Sequence, residues 1–285
     1  MLLNPLQLHT PTSLSEAIKL YASLPNVKIQ SGGTFLLNSL KLLKRNGAKT
    51  PENVISLSKV KDLRNIQVTA DYMDIYAMTT ITDLFEFEPL KDNFEVFKTV
   101  CRNISTTPIR NMATVGGNLT CRYTWTEMPA VMVALDAQLY FLGRDEKEEV
   151  MPALDFFKAA AKTDKIFVKA RIKRDSKCLL SYQRVKKTLH VDIPLLSLLI
   201  TANVESNKFK DVRVGVNNCV AFAQRDTTLE SFLNGAVVSE QTAVEALNHL
   251  DTTIYDARGT DYKKYMFRVA IKNAILEIVQ KAKKS

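Results

Sequence analysis

The sequence predicts an α+β protein, on three observations. In the last third, strand-like runs at 179–185, 195–204 and 212–216 precede helical stripes at 228–233, 239–250 and 261–281. That order is expected when helices pack on one antiparallel sheet. In the first 58 residues strand-like and helical stretches alternate, as in a small βαβ-like unit. Two Gly-Gly turns, Ser31-Gly-Gly-Thr34 and Thr114-Val-Gly-Gly-Asn118, lie beside short apolar runs in this first part and the next.

Taken in order, Ser13-Leu-Ser-Glu16 has the spacing of a capping box, and Leu14, Ala17, Ile18 and Tyr21 then repeat with helical period up to Pro25. Residues 27–29 form a short strand that feeds the first Gly turn. Leu36, Leu37, Leu40 and Leu43 mark the next helix, closed by Asn46-Gly47, with Lys41, Lys44, Arg45 and Lys49 giving it a basic face. Residues 53–57 read as a strand, and this first lobe ends near Ser58. A second lobe opens with Val60-Lys-Asp-Leu-Arg-Asn-Ile66. It contains a strand at 73–78, a helical stripe of Phe97, Val100, Cys101 and Ile104 leading to the second Gly turn, and an apolar helix at 128–135. Strands at 138–141 and around Val150 flank a charged hairpin turn. A short helix at 155–162 and a strand at 166–172 follow, and a boundary falls at 174–177. The expected domains are 1–58, 59–174 and 175–285.

Bulk properties narrow the function classes. The chain has 285 residues, 46% of them apolar, enough for a sizeable core and two domains, which excludes a disordered chain. The longest apolar run, 193–204, is broken by Pro, Ser, Thr and Asn and is too short to cross a bilayer. The N-terminus lacks a basic segment followed by an apolar one, so a cytoplasmic protein without a signal peptide is expected. Cys101, Cys121, Cys178 and Cys219 are scattered without a C-x-x-C, and His9, His190 and His249 stand alone. Free thiols and no metal site follow. The net charge of +9 suits nucleic acid, an anionic cofactor or an acidic partner. The cations are interspersed with acids and no RNA-binding motif is present, so a solvated surface is the favoured reading. There is no G-x-S-x-G elbow and no nucleophile–base pair, so no catalytic residue is assigned.

The Gly pairs carry the most chemistry. Without a Cβ, glycine lets peptide N–H groups approach phosphate oxygens closely. Neither turn has the G-x-G-x-x-G or Gly-Lys-Ser/Thr spacing. Each alone marks a turn, whereas two together offer two backbone surfaces to one diphosphate.

The wider wording resembles a known family. Pro108-Ile-Arg-Asn-Met-Ala-Thr-Val-Gly-Gly-Asn-Leu119, Pro129 and Ala134-Leu-Asp-Ala137 are similar to the FAD-binding medium subunit of molybdenum hydroxylases, of the carbon monoxide dehydrogenase and xanthine dehydrogenase type. Ser31-Gly-Gly-Thr-Phe-Leu36 resembles that family's first flavin loop. Ser181-Tyr-Gln-Arg-Val185, Arg213-Val-Gly-Val216 and Arg258-Gly-Thr-Asp-Tyr262 resemble its C-terminal domain. The resemblance implies the two-lobed FAD-binding fold of the vanillyl-alcohol oxidase and p-cresol methylhydroxylase type, followed by an α+β C-terminal domain.

It also implies a site. Ser31, Gly32, Gly33 and Thr34, with Thr114, Val115, Gly116, Gly117 and Asn118, would hold the FAD pyrophosphate, and Asn118 the phosphate or the ribityl chain. The Thr34 and Thr114 hydroxyls would face phosphate or cap their own turns. Leu36, Arg110, Ala113 and Phe167 complete the FAD-binding set. Glu127 stands where an acid would bond a ribityl hydroxyl. Phe35 replaces the acid of the family's first loop, and Tyr123-Thr124 replaces an Asp-Pro pair. Tyr123 and Trp125 would stack near the isoalloxazine or serve ordinary packing. Arg184, Lys186 and Lys187 are candidates to reach the flavin ring, Lys186 being the one carried forward. The implied function is electron transfer from the [2Fe–2S] clusters of a small subunit to an external acceptor, with a separate large molybdopterin-binding subunit and neither nucleic acid nor a membrane span involved. A self-contained flavin oxidase of the same fold and a flavin-free basic scaffold remain open beside it.

Overall fold

The computed structural model describes residues 3–159, 163–188, 193–219, 221–257 and 259–284. His190, Arg258 and the end of the helix expected at 155–162 lie outside them.

The first sheet has three parallel strands in the order β1-β3-β2, where β1 is Gln7–His9, β2 Val27–Gln30 and β3 Asn53–Ser56. Helix α1 (Leu14–Ser23) joins the first two. Ser13 caps it by accepting from the Glu16 N–H at 3.2 Å, but the Glu16 carboxylate reaches back to the Thr12 N–H instead of Ser13. Half of the expected capping box is therefore built. Ala17, Ile18 and Tyr21 bury against Ile55 and Leu57, as their period requires. Helix α2 (Leu36–Arg45) starts directly from the first Gly turn and stops at Gly47, whose φ of +67° is the left-handed conformation that ends helices. Strand β1 was not expected, because three residues are too few to display a period.

The second sheet runs β4-β5-β8-β6-β7 and is antiparallel. Its strands are β4 (Ile66–Val68), β5 (Tyr72–Tyr76), β6 (Gln138–Leu142), β7 (Glu148–Pro152) and β8 (Ile166–Lys173). Helices α3 (Ile81–Glu86), α4 (Val96–Asn103), α5 (Thr107–Arg110), α6 (Val115–Thr120), α7 (Met128–Ala134) and α8 (Ala153–Lys158) come from this lobe. Helix α3, also unexpected, has a complete capping box between Thr80 and Asp83. The core holds Met73, Ile75, Phe97, Val100, Leu139 and Phe141, with the expected α4 stripe in it. Phe167 belongs to the same core, with its ring 5.4 Å from that of Phe141, and is 5% exposed. Strand alternation points this member of the expected FAD-binding set inward.

The third sheet is antiparallel in the order β12-β11-β10-β9, built from β9 (Leu179–Val185), β10 (Leu196–Glu205), β11 (Lys208–Asn217) and β12 (Gln224–Arg225). Helices α9 (Thr227–Leu233), α10 (Glu240–Glu245), α11 (Thr252–Tyr255) and α12 (Asp261–Ala282) follow, so strands precede helices as expected. Helix α12 packs on β9 and β10, and helix α7 of the second lobe packs on β10 and β11. Alternate residues of β10 thus enter two cores. Leu196, Leu198 and Ile200 join that of α12, and Leu199 joins that of α7. A strand covered on both faces reads as a continuous apolar run, which explains residues 193–204. Gly215 makes the α7 face possible, since a Cβ there would lie 2.3 Å from the Ala130 carbonyl oxygen. No helix among the described residues is long and apolar enough to cross a membrane.

Candidate functional site

The two Gly turns meet. The Ser31 and Thr114 hydroxyl oxygens are 2.5 Å apart, and a Cβ on Gly117 would lie 3.7 Å from that of Ser31. A Cβ on Gly32 would fall 1.9 Å from the Met112 carbonyl oxygen, and one on Gly116 would fall 2.6 Å from that of Ala77. These two glycines are needed because backbone meets backbone, before any ligand is considered. Gly33, at φ +73°, is needed for its left-handed turn.

The two turns use their peptide groups differently. Among the described residues, no backbone or side-chain acceptor receives the N–H of Gly32, Gly33 or Thr34. Phe35, the residue before α2, makes no side-chain cap. The first loop and the start of a ten-residue helix therefore present donors, with the positive end of the helix dipole behind them. In the second turn Val115 N–H donates to Thr79 O (2.9 Å), Gly116 N–H to Ala77 O (2.9 Å), Gly117 N–H to Thr114 Oγ1 (3.0 Å) and Asn118 N–H to Thr114 O (2.9 Å). The N–H groups of Val115, Gly116, Gly117 and Asn118 thus all have partners within the protein. These amides seat and cap α6, and what the turn can offer a ligand is side chains. The Thr114 hydroxyl is both the α6 cap and the partner of Ser31. Asn118 Oδ1 accepts from the Met128 N–H (3.2 Å), which leaves its amide nitrogen as the donor.

A cleft of about 610 Å³ opens where the lobes meet, lined among others by Ser31, Ser56, Ser58, Lys61, Arg64 and Thr114. That volume lies within the range of small-molecule and cofactor sites. Arg64 makes a bidentate pair with Asp83 at 2.8 and 2.9 Å, and this hydrogen bonding raises the guanidinium's pKa. Burial alone would raise the Asp83 pKa, but hydrogen bonds from Arg64 and Thr80 outweigh it and hold it below the usual carboxylate range. Lys61 is exposed at the same rim. Hydroxyls, free peptide donors and the Lys61 cation suit a phosphate-bearing dinucleotide such as FAD, so the residues present fit that group. In the sequence, Val60-Lys-Asp-Leu-Arg-Asn-Ile66 stands out only as the start of a lobe. Its Lys-x-x-Arg spacing is the signal that could have found Lys61 and Arg64, whereas Ser56 and Ser58 carry none.

Other expected contacts fall elsewhere. Arg110 donates through Nη1 to the Ile104 and Ser105 carbonyls (3.0 Å each) and through Nη2 to Thr107 Oγ1 (2.9 Å). It ties its own loop. Ala113 abuts Gly32 through its backbone, and its carbonyl accepts from the Ile81 N–H. Leu36 is the half-buried first residue of α2. Glu127 is 4% exposed, with Oε1 2.6 Å from Arg184 Nε and Oε2 accepting from the Tyr182 hydroxyl. Burial raises its pKa, opposed by the Arg184 charge. Both its oxygens are engaged in joining α7 to β9. Arg184, locked in that pair, is not aimed at the cleft. Lys186 and Lys187 are exposed past the end of β9. Phe35, Tyr123 and Trp125, the departures from the resembled pattern and their neighbour, pack on one another. The ring centroids are 4.5 Å apart for Phe35–Tyr123, 5.6 Å for Phe35–Trp125 and 5.2 Å for the stacked Tyr123–Trp125 pair.

Comparison with known proteins points to the same cofactor. Residues 4–174 match the family model described as the FAD binding domain in molybdopterin dehydrogenase. The chain is 23% identical over 273 residues to the glyceraldehyde dehydrogenase medium chain of Sulfolobus acidocaldarius, covering 93% of this chain and 95% of that one. It is 24% identical over 277 residues to the carbon monoxide dehydrogenase medium chain of Hydrogenophaga pseudoflava, covering 94% of each. Among solved structures, quinoline 2-oxidoreductase from Pseudomonas putida 86 shares the fold with a TM-score of 0.87 at 21% identity, covering 99% of each chain.

Proposed function

Because the chain belongs to the family of FAD-binding domains of molybdopterin dehydrogenases, we propose that it is the electron-transferring flavoprotein subunit of a molybdenum hydroxylase complex. Its partners are a large molybdopterin-binding subunit and a small [2Fe–2S] subunit, and its electrons leave to an external acceptor. The observation that supports this best is the junction of Ser31 with Thr114, which brings the two flavin-type loops from separate lobes to one cleft. FAD, when bound, supplies the redox chemistry. The chain's residues position it: the peptide donors of 32–34 and the Ser31–Thr114 hydroxyls face the diphosphate, and Lys61 helps to balance its charge. We further propose the division 1–58, 59–174 and 175–285, supported by each sheet drawing all its strands from one part. Four cysteines outside any disulfide support the cytoplasm as its compartment.

The test is reconstitution. The purified chain is expected to take up one FAD and turn yellow, and to oxidise no aldehyde or purine by itself. Adding the reduced small subunit under anaerobic conditions should bleach the flavin band. A fully active isolated chain would instead mean a self-contained oxidase, and a chain that never takes up flavin would end the reading.

A further inference from the structure

The cleft is polar, and an aromatic cluster stands outside its lining, at the end of the first Gly loop, that the family assignment does not account for. The cavity lining is hydroxyls, cations and a few aliphatic side chains, with no aromatic ring among the residues that line it. The aromatic rings gather at the far end of the first Gly loop. Phe35 closes that loop and begins α2, while Tyr123 and Trp125 come from the segment between α6 and α7. The Tyr123 and Trp125 rings are stacked at 17°, Phe35 meets both edge-on, and the Tyr123 hydroxyl is 3.3 Å from Ser39 Oγ on α2. All three residues are partly exposed.

We propose that the stacked Tyr123–Trp125 pair, steadied by Phe35, is the seat of the isoalloxazine ring; this rests on the FAD reading above. Phe35 directly follows the donors of 32–34 in the chain, so the aromatic cluster begins where the diphosphate-facing loop ends. A planar apolar ring gains most from an aromatic face. The same three residues replace or adjoin positions where the resembled pattern carries acids. The ring therefore rests on stacking here, with no carboxylate from these positions beside it.

Flavin emission decides the matter, because indole and phenol quench an excited flavin by electron donation only at van der Waals range, and phenylalanine does not. The full chain is loaded with FAD, and the wild type is expected to show picosecond flavin decay. Tyr123→Phe/Trp125→Phe keeps an aromatic stack and should restore nanosecond decay in a chain that still takes up FAD. Tyr123→Leu/Trp125→Leu should weaken FAD about tenfold or more while leaving ADP affinity unchanged. A Phe/Phe variant that decays like wild type overturns the proposal, as does a Leu/Leu variant that loses FAD and ADP equally. If the wild type takes up no FAD, the cofactor reading falls as well. Uptake with unquenched emission removes this inference alone.

Discussion

Ser31 and Thr114 come from different lobes, 83 positions apart in the chain, yet their hydroxyl oxygens sit 2.5 Å from each other at the floor of the cleft. One hydroxyl proton bridges the pair. The other is left for Met78 Sδ, 3.1 Å from Ser31, which is a weak acceptor, or for a ligand oxygen. Thr114→Val removes this contact and the α6 cap together. Thermal or urea unfolding should show a loss of about 1–2 kcal/mol, and flavin titration a weaker complex. Thr114→Ser should keep most of both, and a Ser variant as damaged as Val would show that the methyl group, not the hydroxyl, matters.

Gly32→Ala places a methyl group where the Met112 carbonyl already is, 1.9 Å away. The lobes must separate locally, at a cost of about 1–3 kcal/mol. FAD uptake should fall more than stability does, since the first loop carries the unpaired donors. Equilibrium unfolding of the FAD-free protein and flavin titration, read side by side, check this.

Glu127 and Arg184 are each 5% exposed at their side chains and meet at 2.6 Å. Glu127→Ala takes the carboxylate away from a buried guanidinium and should destabilise by about 3 kcal/mol or more, while Glu127→Met/Arg184→Met recovers much of the loss. The double variant should still bind FAD. If it folds and has lost flavin, Glu127 reaches the ribityl chain after all.

Asp74 is 1% exposed under Lys169 and Arg171, at 2.7 Å from each. Burial pushes its pKa up, but the hydrogen bonds from Arg171 and Lys169 outweigh this, so the folded value lies below the ordinary one. A lowered carboxylate pKa means the unfolded chain binds the proton more readily. The stability it contributes is present above the ordinary Asp range, near 3.9, and fades as pH falls through the folded value. Asp74→Asn should lower stability at neutral pH by about 2–3 kcal/mol and flatten the decline below about pH 4. Urea midpoints from pH 7 down to pH 3 test the slope.

Lys61→Ala should weaken FAD binding and make it less sensitive to salt, because an exposed cation acts through a screened field. Titrations at two ionic strengths would show parallel losses in wild type and variant if Lys61 does not face the ligand.

Periodic features are legible in the sequence itself. The α4 stripe, the α7 run, the 138–150 hairpin and the strand-then-helix order of the last third follow from spacing alone, since burial on one face is written residue by residue. The two Gly-Gly turns and their likeness to a flavin loop are local too. Strand β1 and helix α3 escape notice for want of length, although Thr80 and Asp83 carry a capping signal.

What the tertiary structure decided is how each polar group is used. Gly116 and Gly117 looked like phosphate donors, yet their N–H groups go to Ala77 O and Thr114 Oγ1. Glu127 looked like a ribityl partner and is taken by Tyr182 and Arg184, 55 and 57 positions away. Phe35, Tyr123 and Trp125 looked like isolated departures and form one cluster across the lobes. A hydrogen-bonding group takes the nearest partner of suitable geometry, and that partner is set by chain packing over long sequence separations. Sequence by itself therefore determined which elements form and where the loops lie, and only the packed chain determined which of their atoms remain for a ligand.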